Sequence, residues 1–283
     1  MDIAYINGKF LPKDEIRISP DDRGFLFADG VYEVAKWYSG FFFDMESHVT
    51  RLKRSLSELK IGWKEPEKLG SIALELIRRN NLENSYALVY IEITRGAAPR
   101  THYFPPASTP PTVYAFVKEI APESLPENTG VKVILKEDIR WSRCDIKSVA
   151  LLANTISFQE AYEKGMKECI FVRNGLITEG SHSNIFFVMD GALFTHPESN
   201  NILSGITRKN ILRIAREAGI KTMEKAVPEK EINLCQEAFI SNTSAEVTPV
   251  AEMGGNRIGD GKPGPVTRLL RKKFDEGISA LKG

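Results

Sequence analysis

Three times along this chain an Asn-Gly or Asp-Gly step separates two short apolar runs. Asn7-Gly8 lies between IAYI and KFL, Asn174-Gly175 between CIFV and LIT, and Asp190-Gly191 between NIFFV and ALF. Such steps favour two successive residues at positive φ, the geometry of the tight turns that close antiparallel hairpins. Helical patterns alternate with them irregularly. Val49, Leu52, Leu56 and Leu59 predict a helix over 46–60 with one buried stripe and Arg51 on its polar side. Ile211, Leu212, Ile214 and Ala215 predict a second over 205–219, closed by Gly219. A last helix begins near Pro265, a favoured first-turn residue, and is predicted to bury Val266, Leu269, Leu270 and Phe274. Hairpins outnumber strand–helix alternations, so the expected class is α+β, mostly antiparallel sheets with packed helices, rather than a doubly wound sheet.

The 283 residues suit one large or two modest domains. The stretch APESLPENTG is proline-rich, polar and without apolar periodicity. It is the expected linker over 121–130, between an N-terminal α/β domain over 1–120 and a C-terminal domain over 131–283. An earlier stretch, PPASTPPT (105–112), reads as an irregular loop before the strand VYAFVKE. The 38 basic and 37 acidic residues are mixed along the chain, which speaks against nucleic acid as a partner. The cysteines Cys144, Cys169 and Cys235 form no CxxC pair, and His48 and His196 stand apart from any ligand set, so neither a disulfide framework nor a metal is expected. MDIAYINGKF lacks the basic and apolar regions of a secretory signal, and no apolar run approaches the roughly 20 residues that span a bilayer. A soluble protein of a reducing cytoplasm, without a membrane partner, is the expectation.

Four segments could carry chemistry. In RWSRCDIKSVALLAN (140–154), Lys147 interrupts an apolar neighbourhood, where a partly desolvated amine loses its proton more easily. The same spacing also suits a strand-end lysine with its amine in water. In ITEGSHSNIFFV (177–188), Glu179 could keep a pyridine nitrogen protonated, although Thr-Glu-Gly-Ser is equally a turn sequence. In NNILSGITRKNILRIA (200–215), Gly205-Ile206-Thr207 opens a helix whose free N–H groups suit a phosphate, with Thr207 as a cap. Arg51 could add a charge-assisted bond. In EITRGAAPRTHYF (92–104), Arg100 and His102 point the same way if the segment is extended, and together suit a carboxylate.

Six segments in one order make the pattern specific: DRGFLFADGVYEV (22–34), HVTRL (48–52), DIKS (145–148), TEGSHSN (178–184), LSGITR (203–208) and SNTSAEVTPV (241–250). Together they resemble the fold type IV enzymes of pyridoxal 5'-phosphate (PLP), the branched-chain and D-amino-acid transaminases and the aminodeoxychorismate lyases. The resemblance implies a two-domain fold whose C-terminal part binds the cofactor. It implies that Lys147 holds the cofactor covalently and shuttles the substrate's α-proton, and that Glu179 pairs with the ring nitrogen. Arg51, Ile206 and Thr207, with Thr243, would hold the phosphate; Leu203 would pack on the ring. Asn242 stands where D-specific relatives often carry serine beside the phosphate. Tyr32 would lie near the substrate. The Arg-x-His motif followed by Tyr103 and Phe104 resembles the D-amino-acid transaminases, in which this pair comes from the partner subunit and holds the substrate α-carboxylate. A homodimer acting on amino acids and 2-oxo acids is thereby implied. Ser181 and His182 are further candidates for the substrate pocket, His182 replacing a small residue of some relatives. Branched-chain L-amino-acid or (R)-amine transamination, pyruvate-releasing lyase chemistry and non-catalytic PLP binding are the alternatives.

Overall fold

The computed structural model describes residues 2–121 and 128–282, so most of the predicted linker, 122–127, lies outside the described residues. The chain forms two compact units, Met1–Pro122 with Ile146–Ala150, and Glu123–Asp145 with Leu151–Gly283. The predicted C-terminal domain over 131–283 is therefore corrected at one place: Ile146–Ala150 belongs to the first unit. The reason is local. Tyr32 N–H donates to the Lys147 carbonyl (3.0 Å), Val149 N–H donates to the Gly30 carbonyl (3.1 Å), and the Ile146 side chain joins the first unit's core.

In the first unit, Asn7 (φ 45°) and Gly8 (φ 91°) turn β1 (Ile3–Ile6) into β2 (Lys9–Pro12), as their sequence predicts. A short helix α1 (Arg23–Phe27) leads into β3 (Gly30–Tyr38). The helices α2 (Met45–Glu58) and α3 (Leu69–Arg79) follow, then β4 (Tyr86–Thr94) and β5 (Thr112–Ile120). The strands form one sheet in the order β2-β1-β5-β4-β3, every junction antiparallel. Alternation along β3 points Val31, Glu33 and Trp37 to the side that carries α2. Leu52 and Leu56 of α2, Leu69, Leu76 and Ile77 of α3, and Val89, Ile91 and Ile93 of β4 fill that side. Burying one such aliphatic chain stabilises by about 1.5–3 kcal/mol, which holds both helices to the sheet. The stripe of α2 is rotated from the predicted one: His48, Leu52, Ser55 and Leu56 are buried, and Val49 and Leu59 only partly. Arg51 is not on a solvated face, since 9% of its side chain is exposed.

The second unit runs β6 (Val131–Glu137), α4 (Leu152–Glu163), β7 (Glu168–Arg173), β8 (Leu176–Gly180), β9 (Asn184–Met189) and β10 (Ala192–Thr195). It continues through α5 (Ile206–Glu217), β11 (Thr222–Glu224), β12 (Glu237–Asn242), β13 (Glu246–Met253), β14 (Asn256–Arg257) and α6 (Pro265–Ala280). Its sheet has the order β11-β10-β9-β12-β13-β6-β7-β8, with β14 on β13. The Asn174-Gly175 and Asp190-Gly191 hairpins form as predicted, all four residues at positive φ. The junctions β10–β11, β13–β6 and β6–β7 are parallel, the rest antiparallel. In α6 the buried line is Thr267, Leu270, Phe274 and Ile278. Leu269, predicted to be buried, is instead 38% exposed, because the buried stripe follows the 3-4-4 spacing through Thr267. No helix among the described residues is long and apolar enough to cross a membrane.

Candidate active site

The first unit assembles its chemistry on β3. Lys147 is partly buried, and its Nζ sits 4.3 Å from the centroid of the Tyr32 ring. Its backbone is fixed from two sides, by the Tyr32 N–H and by the Ser55 hydroxyl, which accepts from the Lys147 N–H (3.3 Å). Tyr32 stacks on Tyr90 with centroids 5.5 Å apart, and the Tyr90 hydroxyl donates to Glu92 Oε2 (2.6 Å). Burial, with Glu92 beside it, pushes the Tyr90 phenol upward, so it remains a donor.

On the opposite side of β3 lies a residue the sequence reading did not single out. Glu33 is fully buried and accepts two bonds from Arg51, at Nε (2.7 Å) and Nη2 (2.9 Å). His48 Nδ1 lies 2.8 Å from Glu33 Oε2. Burial alone would raise this carboxyl, but Arg51 and His48 hold it well below the usual range. Burial also lowers His48, despite the raising pull of Glu33, so it is a neutral imidazole that donates. The Arg51 guanidinium is thus held in a fixed orientation by Glu33. A signal existed, since an acidic residue in phase with Val31 and Trp37 must face the core and needs a cation.

Arg100 and His102 lie in a bend rather than a strand, and both are exposed. They nonetheless meet one ring: Arg100 Cζ is 5.1 Å from the centroid of Phe27, and the His102 ring is 5.7 Å from it.

The second unit centres on Glu179, 5% exposed, at the end of β8. Arg140 Nη1 donates to Oε1 (2.6 Å); the Leu203 N–H and Asn184 Nδ2 donate to Oε2 (both 3.0 Å). Burial pushes the Glu179 carboxyl up to about 7, outweighing the lowering effect of Arg140. Arg140 is itself held by the buried Asp138 (2.9 Å). Asn184 was not among the predicted residues, yet its amide also donates to the Leu203 carbonyl (2.9 Å) and so ties TEGSHSN to LSGITR.

Ile206 and Thr207 are the first two residues of α5. The N-cap is Gly205, with no side-chain cap bond, so the expectation that Thr207 caps the helix is corrected: it lies inside the first turn. Leading N–H groups without a cap, and a dipole end, suit an anion. α5 packs on β12, where the Ser241 hydroxyl is buried without a hydrogen-bond partner among the described residues. These features fit a phosphate group, and Glu179 fits a heteroaromatic N–H. Thr243 is partly buried in the turn after β12. Asn242 spends its side-chain oxygen on that turn, accepting from the Ser244 N–H (3.0 Å) and the Ala245 N–H (2.7 Å). Ser181 and His182 are held by the buried Glu168, at 2.5 Å from Ser181 Oγ and 3.0 Å from His182 Nδ1. The His182 side chain remains 49% exposed.

These halves match known proteins. The family described as amino-transferase class IV matches residues 30–253. A D-alanine aminotransferase of Staphylococcus haemolyticus is 40% identical over 98% of each chain, and one of Bacillus licheniformis 39% identical over 96% of this chain and 95% of its own. Among solved structures, the Escherichia coli branched-chain amino acid aminotransferase superposes with a TM-score of 0.89 at 26% identity, covering 97% of this chain and 94% of that one. A branched-chain amino acid aminotransferase of T.th., solved with pyridoxamine 5'-phosphate, gives 0.88 at 26% identity, covering 98% and 94%. The chain belongs to the class IV aminotransferase family, with the α+β fold type IV architecture. It is a PLP-dependent enzyme of the D-amino-acid transaminase type.

Proposed function

We propose that this enzyme moves the amino group between D-amino acids, D-alanine among them, and 2-oxo acids such as 2-oxoglutarate, as a cytoplasmic homodimer. The observation that carries the D-specific reading is the 40% identity, over nearly the whole chain, to a D-alanine aminotransferase. Structural likeness to branched-chain enzymes at 26% identity supports the shared fold and cofactor but is weaker on substrate.

The cofactor supplies an electron sink for negative charge developing at the substrate Cα. Lys147 would hold it covalently, then, once displaced by substrate, take the α-proton and return it on the other side of the transfer. Glu179, fixed by Arg140, Asn184 and Leu203, would keep the ring nitrogen protonated. Arg51 from the Glu33 anchor, the N–H of Ile206, the hydroxyls of Thr207 and Thr243 and the Asn242 amide would bind the phosphate, and Leu203 would pack on the ring. Arg100 and His102 of the partner subunit, with Tyr32, would clamp the α-carboxylate, leaving Ser181 and His182 to meet the side chain. Lys147 approaches one face of a planar substrate, so the side on which the carboxylate is clamped decides the enantiomer.

Mixing enzyme with D-alanine or L-leucine in a single turnover tests this. The visible cofactor band is expected to bleach with D-alanine; bleaching with L-leucine alone refutes the D assignment. Lys147→Ala is expected to lose at least 10²-fold in transamination, and a variant at the parent rate would end the role given to Lys147.

A further inference from the structure

Three arginines meet at the segment that carries Arg100 and His102, and among the described residues two of them share an acidic partner. Arg23 and Arg95 both bind Asp29: Arg23 Nε at 2.8 Å, Arg95 Nε at 2.7 Å and Arg95 Nη2 at 2.9 Å. Their side chains are 4% and 9% exposed. Among the described residues Arg100 makes no ion pair, which leaves its charge for a ligand.

The two saturated arginines do more than neutralise Asp29. Arg23 Nη1 donates to the carbonyl of Thr101 (2.7 Å), the residue between Arg100 and His102. Arg95 Cζ lies 3.6 Å from the centroid of the Phe104 ring, just beyond His102. The segment is thus held at its middle and at its far end. Between these points the Phe27 ring serves as a shared floor, 4.6 Å from Arg23 Cζ, 5.1 Å from Arg100 Cζ and 5.7 Å from the His102 ring. A guanidinium over an aromatic face is drawn to the ring quadrupole, so the ring fixes where the charge sits without consuming its N–H donors.

The backbones are joined as well. Arg23 N–H donates to the Gly96 carbonyl (3.0 Å), Ala98 N–H to Asp21 (3.2 Å) and Arg95 N–H to Asp29 (3.0 Å). Gly96, at φ +89°, has no room for a side chain, because a Cβ would come within 2.1 Å of the Pro110 carbonyl. An exposed loop that needs only to connect two strands requires none of this.

We infer that Arg23 and Phe27 are positioning residues for the carboxylate clamp, setting the spacing and direction of Arg100 and His102. This explains why DRGFLF and RGAAPRTHYF lie together, and it rests on the clamp reading of the previous section. A misplacement of about 1 Å in a binding group can cost up to 10²-fold.

The test compares Arg23→Lys, Phe27→Leu and Arg100→Ala as PLP-loaded enzymes. Lysine at 23 can still pair with Asp29 but cannot reach the Thr101 carbonyl with a second donor. Leucine at 27 keeps an apolar floor without a π face, and carries the test if the lysine variant does not accumulate. Arg23→Lys and Phe27→Leu are each expected to raise the KM for D-alanine roughly ten- to a hundredfold, with kcat within about twofold. The rate at which hydroxylamine, an amine with no carboxylate, consumes the cofactor band should not change. Equal loss with D-alanine and hydroxylamine, or a KM unmoved in both variants while Arg100→Ala raises it, overturns the inference alone. If Arg100→Ala leaves KM unchanged, the clamp reading fails first and takes the inference with it.

Discussion

Glu33→Gln should be among the most damaging conservative substitutions in the first unit. The carboxylate is fully buried and receives Arg51 at 2.7 and 2.9 Å and His48 at 2.8 Å. The amide fills the same volume but turns an NH2 toward donors and removes the negative charge that Arg51 is paired with. Removing one partner of such a pair costs about 3–5 kcal/mol, which for a domain of this size lowers Tm by roughly 6–20 °C. The pH dependence has a definite sign. The Glu33 carboxyl is held below its ordinary value of 4.5, so its stabilisation is complete above that value and is lost as pH falls below it. The gap between parent and variant should therefore be constant from pH 8 to 5, then narrow by about 1.4 kcal/mol per pH unit. Urea unfolding followed by circular dichroism at several pH values measures this. A gap under about 1 kcal/mol at pH 7.5 would refute the reasoning, as would one that widens on acidification. The variant should also bind PLP more weakly; unchanged affinity would separate Arg51 from the phosphate.

Two further outcomes are expected. A Cβ at position 205 would come within 2.0 Å of Asn184 Oδ1, so Gly205→Ala should destabilise the second unit by about 1–3 kcal/mol and weaken PLP binding; a variant matching the parent in melting and cofactor titration contradicts the Asn184 arrangement. Burial pushes the Cys144 thiol up to about 11 and those of Cys169 and Cys235 up to about 12, so at pH 8 the native enzyme should resist a thiol reagent that counts three groups in guanidinium. Rapid labelling of the native protein would show that these sites open readily.

What the sequence revealed was local. Asn7-Gly8, Asn174-Gly175 and Asp190-Gly191 each carry their whole instruction in two residues, so each turn forms where predicted. Helix α5 was legible because its apolar residues repeat within one element. The misread features depend on distant chain. Arg51 looked solvated until β3 placed Glu33 against it, and Thr207 looked like a cap although Gly205 opens the helix. The parallel junctions β13–β6 and β6–β7 leave no turn sequence to read, since their strands are joined by long connections. Lys147, Tyr32 and Glu179 were reached through the order of motifs. Arg140, Asn184 and Glu33, which hold their neighbours in place, have no such flag.

The return of Ile146–Ala150 to the first unit has a consequence for synthesis at the ribosome. The N-terminal unit is a discontinuous body whose final lace is made only after β6 has been translated. Until residue 150 clears the exit tunnel, the early strand β3 waits with the backbone carbonyl of Gly30 and the N–H of Tyr32 lacking their eventual mates. A fragment cut at residue 121 would be missing both that closure and Lys147. The chain passes between the two units three times, so they cannot be separated at a single peptide bond.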